Sequence, residues 1–328
     1  KGEKYFSGTK NASQVGLFWS YQTANTYGGE IPRSDFTGET IKVKRDYMKS
    51  FQGAYEILQR AHIPFKVVDR LKDMSNVKLL ILPNCACITS EETTYLEKYV
   101  ENGGKLIISF ETSLYSQGRR RDNFGLSNLL GITYQGIEEY GTHENYFQIK
   151  ENFFPAFTYV LKVEPNLATV PGYVSENTKG SYQPIKISSF PAICKNEFGE
   201  GKVYYFCGNF FQSYFDYKFS SYLLLFQQIF DSELKRQIIL ENTPESVEIT
   251  LRKKGNALLI HLINFSSGLK RPIENLVPVE NITLKLPQRK ATSVASLIGK
   301  IPPRWELKDD FLQIVIPQLL AYEVIVVK

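Results

Sequence analysis

The 328-residue chain has few of the residues that bind metals or act as nucleophiles: it holds three histidines and four cysteines. The histidines (His62, His143 and His261) are far apart in the chain, so a histidine-rich metal site is not expected. The cysteines form neither a disulfide framework nor a spaced zinc pattern. We therefore predict reduced, buried thiols, no metal ion and no cofactor.

Long apolar runs and a strong charge bias are also missing. No stretch reaches the ~20 apolar residues that span a bilayer, and nothing resembles a signal peptide. The net charge is a modest +5, and the tight basic cluster Arg119–Arg121 is too short for a nucleic-acid stripe. We predict no membrane or nucleic-acid partner and a cytoplasmic location. A start at Lys1 suggests a fragment, so an upstream targeting signal stays open.

What the first half of the chain does have is an alternation of strand-like and helix-like segments, which is typical of βαβ units and a parallel sheet. Thr89 and Glu92 form a capping box that starts a helix, and Gly103-Gly104 ends it. Tyr21 to about Gly38 is predicted to be a long polar loop. The predicted strands are apolar runs at 15–19, 65–69, 79–82 and 105–110.

The second half adds a β-hairpin around Gly199-Glu200-Gly201 and a helix with one apolar face over 219–230. From about Glu245 short alternating strands follow one another, which indicates an antiparallel sandwich. The predicted fold is therefore α/β and flavodoxin-like, followed by a small antiparallel β-sandwich. We predict a domain over 1–242 and a second one over 243–328.

The junction after the strand at 105–110 is where an open α/β sheet places its ligand or catalytic group. Glu111, Thr112 and Ser113 follow that strand without the Gly-x-Ser-x-Gly or Gly-x-Cys-x-Gly pattern of a nucleophile elbow. Glu111 is thus a weak catalytic or ligand-binding candidate. A structural alternative pairs its carboxylate with the basic cluster Arg119–Arg121, and that alternative is preferred.

Other candidates carry weaker signals. Cys85-x-Cys87 stands at a strand end without a neighbouring basic residue to activate a thiol, so packing is preferred over redox chemistry. Weak ligand-binding candidates are Arg120, Asp122, Trp19 and Trp305. A glycosidase would need two facing carboxylates, and no spacing rule selects a pair among Glu111, Asp122, Glu138, Glu139 and Glu144.

Several segments in combination resemble a known family. They are GAYEILQRAHIPFKVVD (53–69), KLLILPNCACITSEE (78–92), YVENGGKLIISFETSLY (99–115), RRRDNFGLSNLLGI (119–132), PAICKNEFGEGKVYYFCGNF (191–210) and VEITLRKKGNALLIHLINFSS (247–267). Together they resemble the glutamine-amidotransferase-like trimerisation domain of family 42 β-galactosidases and related hypothetical glycoside hydrolases, with its C-terminal β-domain.

The resemblance implies an amidotransferase-like fold, a homo-oligomer (a trimer) and a place in a carbohydrate-active protein. In such proteins a catalytic barrel precedes these two domains, and a barrel needs roughly 250 residues of its own. We therefore expect the chain to be a non-catalytic, structural portion of a β-galactosidase-like glycoside hydrolase. The alternatives are a stand-alone hydrolase acting on a carbohydrate or amide through Glu111, and a carbohydrate-binding module.

Overall fold

A computed structural model describes residues 3–34, 40–140, 145–178, 184–267, 275–287 and 289–328. Its helices are α1 (Glu3–Phe6), α2 (Tyr21–Thr26), α3 (Tyr47–Arg60), α4 (Ser90–Glu101), α5 (Ser127–Leu130), α6 (Phe210–Tyr217) and α7 (Ser220–Glu233). None of the helices in these ranges has the length and apolar character that crossing a membrane requires.

The strands of the first two thirds of the chain are β1 (Lys10–Asn11), β2 (Val15–Phe18), β3 (Glu30–Ser34), β4 (Thr40–Lys44), β5 (Phe65–Val68), β6 (Leu79–Pro83), β7 (Lys105–Ser109), β8 (Tyr115–Ser116), β9 (Arg119–Arg120), β10 (Ile132–Glu139), β11 (Tyr146–Ile149), β12 (Asn152–Pro155), β13 (Tyr159–Pro165), β14 (Thr169–Ser175), β15 (Ile187–Phe198) and β16 (Gly201–Phe206). Those of the last third are β17 (Ile239–Glu241), β18 (Val247–Lys254), β19 (Ala257–Asn264), β20 (Val279–Pro287), β21 (Val294–Ser296), β22 (Arg304–Lys308), β23 (Phe311–Leu319) and β24 (Tyr322–Val327).

The chain divides into two compact units. The α/β unit comprises Gly16–Tyr55 and Val67–Phe226, and the β-rich unit comprises Lys1–Val15, Glu56–Lys66 and Gln227–Lys328. The domain division predicted at residues 242 and 243 stays a prediction.

A mixed sheet organises the α/β unit, in the strand order β12-β11-β14-β15-β16-β7-β6-β2-β5. β7 pairs in parallel with both β6 and β16, while β11, β12, β14 and β15 add an antiparallel extension. β6 and β7 are apolar because both of their faces are buried, as in parallel sheets generally. This arrangement confirms the predicted α/β class with its parallel core.

The local signals read from the sequence also shape this unit. Thr89 Oγ1 accepts a bond from the Glu92 amide, and the Glu92 side chain accepts one from the Thr89 amide, so the predicted capping box begins α4. β15 and β16 form the predicted hairpin, with Gly199 at φ 58° in its turn. The prediction of one long loop from Tyr21 to Gly38 is wrong, since α2 and β3 lie within it. Ser20 begins α2 by capping the Thr23 amide, a side-chain signal that the polar composition obscures.

The β-rich unit contains two antiparallel sheets, ordered β1-β18-β19-β24-β21 and β17-β20-β23-β22. Apolar side chains from both sheets meet in one core that includes Ile249, Leu262 and Ile325 from the first sheet and Leu284 and Ile314 from the second. Alternate residues of β18 and β23 are buried, which is the period-2 pattern of a half-buried strand. The predicted antiparallel sandwich is thereby confirmed.

Candidate functional site

The carboxyl ends of β6, β7 and β16 lie at one edge of the α/β unit, because the three strands run parallel. Asn84 follows β6, Phe110 and Glu111 follow β7, and Cys207 follows β16. All four side chains are buried. This edge is the position at which open α/β sheets place their ligands and catalytic groups.

The chain turns sharply as it leaves β7. Phe110 adopts a left-handed backbone at φ 53°, which is uncommon for a bulky side chain. The Phe110 amide donates to the Phe206 carbonyl at 2.9 Å, and the Tyr205 hydroxyl donates to the Phe110 carbonyl at 2.6 Å. The backbone therefore forms an elbow like that of a nucleophile site, with a phenyl ring at the turn and a carboxylate immediately after it.

The Glu111 carboxylate is 1% exposed and is bonded on both of its oxygens. Arg45 donates from Nε to Oε2 at 2.9 Å and from Nη2 to Oε1 at 3.3 Å, which is a bidentate ion pair. The Tyr27 hydroxyl donates to Oε2, and the Tyr115 hydroxyl donates to Oε1 at 3.3 Å. Among the described residues, Arg45, Tyr27 and Tyr115 thus cover both carboxylate oxygens.

The Glu111 carboxylate also shifts the pKa values of the groups around it. Burial alone would lower the pKa of Arg45, but its hydrogen bonds and charge attraction to Glu111 raise it above the ordinary value. Burial, followed by the Glu111 charge, raises the pKa of Tyr27 well above its ordinary value and that of Tyr115 to about 12. Both phenols are therefore neutral donors at pH 7, and the arginine is a permanent cation.

The Glu111 cluster also holds the base of the hairpin formed by β3 and β4. Tyr27 precedes this hairpin and Arg45 follows it, so one carboxylate ties both of its ends. Arg45 contributes two further bonds, from its amide to the Gly29 carbonyl at 3.1 Å and from Nη1 to the Glu30 carbonyl at 3.1 Å. Its bonds connect segments that are 66 residues apart in the chain.

The ion-pair partner of Glu111 is thus Arg45 and not a member of the predicted basic cluster. Arg119 and Arg120 are exposed on β9, and the Arg120 guanidinium lies 4.8 Å from the centre of the Tyr134 ring. Arg121 donates to the carbonyls of Ser113 and Ile88. Sequence reasoning missed Arg45 because no local pattern marks it.

The remaining candidate residues make none of the hydrogen bonds to Glu111 described above. Asp122 is exposed. Trp19 is half-buried, with its ring perpendicular to Phe51 at 4.9 Å. Trp305 belongs to the other compact unit, where it is 39% exposed on the edge strand β22.

The thiols and Glu138 have surroundings that favour a structural role. All four cysteines are free and buried, as predicted, and burial raises the pKa of the Cys85 thiol. Glu138 forms an ion pair with Lys162 at 2.6 Å. Glu144 lies outside the described residues. Within the described ranges no group of three or more His, Cys, Asp or Glu side chains could hold a metal ion.

None of the three histidines is a described residue of the α/β unit. His62 and His261 belong to the β-rich unit, and His143 lies outside the described residues. A Cys-His-Glu triad needs its imidazole beside the nucleophile. The described residues therefore define a class of protein: an α/β domain with a parallel core whose turn after β7 carries a buried ion pair, in a chain that also contains a β-sandwich.

Comparison with models of protein families shows which family the chain belongs to. The family described as "Beta-galactosidase trimerisation domain" matches residues 22–223, which is more than half of the chain. The chain therefore belongs to that family.

Individual relatives agree with the family match. The beta-galactosidase GanA of Bacillus subtilis is 24% identical over 198 residues, which are 60% of this chain and 28% of the relative. The beta-galactosidase Pbg of Clostridium perfringens is 23% identical over 244 residues, which are 72% of this chain and 34% of the relative. The chain thus spans about a third of the length of these curated relatives.

Solved structures support the fold across both units. Alpha-L-fucosidase isoenzyme 2 of Paenibacillus thiaminolyticus matches 100% of this chain over 50% of its own, with TM-score 0.70 and 20% identity. A beta-galactosidase of Bacillus circulans sp. alkalophilus matches 98% of this chain over 42% of its own, with TM-score 0.63 and 16% identity.

Proposed function

We propose that this chain is the oligomerising, non-catalytic portion of a β-galactosidase-like glycoside hydrolase, and that it joins copies of itself into a trimer. The catalytic carboxylates of that enzyme would belong to a barrel outside these 328 residues. The trimerisation family and the β-galactosidases among its relatives support the proposal. The proposal is also supported by the lengths of these relatives, because the chain leaves most of each relative unmatched.

The observation that carries the non-catalytic part of the proposal is the state of Glu111. A general acid or a nucleophile must reach the atom that it attacks or protonates. The Glu111 carboxylate is buried and bonded to Arg45, Tyr27 and Tyr115. These contacts favour a structural role for Glu111 over hydrolysis of a glycoside or an amide.

Two measurements on the purified chain test the proposal. Light scattering over rising protein concentration should show a mass approaching three times the chain mass of 37.6 kDa. A mass that stays at that of one chain at high concentration contradicts the assembly role. Assays on an aryl β-galactoside and on glutamine should show no turnover, whereas turnover that is lost in a Glu111→Gln variant shown to be folded by circular dichroism would support the hydrolase alternative.

Carbohydrate binding by the sandwich is a second candidate function. It is favoured by the exposure of Trp305 on the edge strand β22, because an exposed indole ring can stack on the C–H face of a sugar. Binding to a glycan array that is lost in Trp305→Ala would support this candidate. Binding that persists in the variant would show that Trp305 does not take part in carbohydrate binding.

A further inference from the structure

An open cleft of about 450 Å³ lies within the β-rich unit, lined by the end of α7, the segment that follows it and the segment that follows α3. Its volume falls in the range of small-molecule sites, roughly 300 to 1,000 Å³. The polar groups on its wall are His62, Gln227, Asp231 and Arg236. None of these residues takes part in the Glu111 cluster.

Arg236 and Asp231 are held in position by hydrogen bonds within the chain. Arg236 donates to the two carboxylate oxygens of Asp231, from Nε at 2.7 Å and from Nη2 at 3.1 Å. Its third nitrogen, Nη1, donates to the Ala61 carbonyl at 2.8 Å. The Asp231 side chain is still 48% exposed, so its remaining lone pairs can accept bonds from a ligand.

The charges in the cleft cancel. The Asp231 carboxylate neutralises the Arg236 guanidinium, and burial together with the Arg236 charge lowers the pKa of His62. His62 Nε2 is 3.1 Å from the Pro244 carbonyl, which can only accept, so in the neutral ring Nε2 carries the proton. Nδ1 is then an acceptor. A charged ligand would therefore meet no opposite net charge.

Apolar surface accompanies these polar groups, since Ile239 and Leu240 complete the lining. A neutral sugar has the matching chemistry, because it presents hydroxyl groups along its edges and C–H groups on its faces. We infer that the cleft binds a neutral saccharide, with Asp231 and Gln227 bonding its hydroxyl groups and Ile239 and Leu240 contacting a C–H face. This site is separate from Trp305 and does not depend on the oligomeric state of the chain.

Saturation-transfer NMR with methyl β-D-galactopyranoside, titrated on the full chain, tests the inference. We expect transfer to the ring protons in the wild type and a dissociation constant about 3- to 10-fold weaker in Gln227→Ala, since one hydrogen bond is lost. Gln228→Ala is the matched control, because Gln228 is the exposed neighbour on the same helix and does not line the cleft. His62→Asn should also weaken binding, because it removes the Nδ1 acceptor of the imidazole. Asn tolerates the left-handed backbone that His62 adopts at φ 52°.

Three results would overturn the inference. They are no transfer in the wild type, equal binding by Gln227→Ala and the wild type, and displacement of the sugar by inorganic phosphate, which would indicate an anion site. Binding that is lost in Trp305→Ala and kept in Gln227→Ala would assign the sugar to the edge strand instead. If His62→Asn does not fold, judged by circular dichroism, Gln227→Ala decides the question alone.

Discussion

Replacing Glu111 by Gln should destabilise the α/β unit, because the substitution keeps the shape of the side chain and removes its charge. The Arg45 guanidinium, 15% exposed, then remains without its counter-ion, and one oxygen that accepted bonds becomes an NH2 group facing other donors. Breaking a fully buried ion pair costs about 3–5 kcal/mol. The residual exposure of Arg45 reduces the expected loss to about 2–4 kcal/mol.

Tryptophan fluorescence can isolate this effect, since the chain has two tryptophans and each unit holds one. In a Trp305→Phe background, Trp19 alone reports the unfolding of the α/β unit in urea. The exposed Asp122→Asn is the control and should change the free energy of unfolding by less than about 0.5 kcal/mol.

The double variant Arg45→Gln with Glu111→Gln gives the sharper result. With both charges gone, neither is left buried and unpaired, so the double variant should lose less stability than the sum of the single variants, by about 1–3 kcal/mol. A loss below about 0.5 kcal/mol in Glu111→Gln, or simple additivity in the double variant, would refute the reasoning.

Three further predictions concern the same unit. Gly53→Ala should lower the melting temperature by several degrees, because a Cβ there would lie 1.9 Å from the Phe211 carbonyl oxygen. Gly136→Ala is the control and should leave the melting temperature unchanged, because a Cβ there meets nothing within 4 Å. Equal melting temperatures of the two variants would contradict this prediction. Burial, followed by the Glu111 charge, raises the pKa of Tyr115 to about 12, so the folded chain keeps a proton that the unfolded chain loses near pH 10. Stability should therefore fall as the pH rises from about 10 to 12, and unfolding curves of Tyr115→Phe should show a smaller fall. The four cysteines should resist a thiol reagent in the native chain and react after denaturation, and rapid native labelling would be the contrary outcome.

The sequence predicted the features of this fold that depend on neighbouring residues. The apolar run of β7, the capping box at Thr89 and the glycine turn of the β15–β16 hairpin all act within a few positions. The location of Glu111 at the end of a strand was predictable for the same reason. Its partner was not, because the pairing with Arg45 depends on where the chain returns after the β3–β4 hairpin. β3, the first strand of that hairpin, lies in a segment whose polar composition indicated a loop.

The first fifteen residues of the chain have a consequence for how it can be divided. Lys1–Val15, Glu56–Lys66 and Gln227–Lys328 belong to one compact unit, so both parts of the α/β unit are inserted between portions of the other. A polypeptide starting at residue 243 would lack β1, which pairs with β18, and Ile238, which is part of the sandwich core. It would present an unpaired strand edge to other molecules, and such edges promote aggregation. A polypeptide meant to fold as the sandwich alone must therefore keep Lys1–Val15 and the whole of Gln227–Lys328.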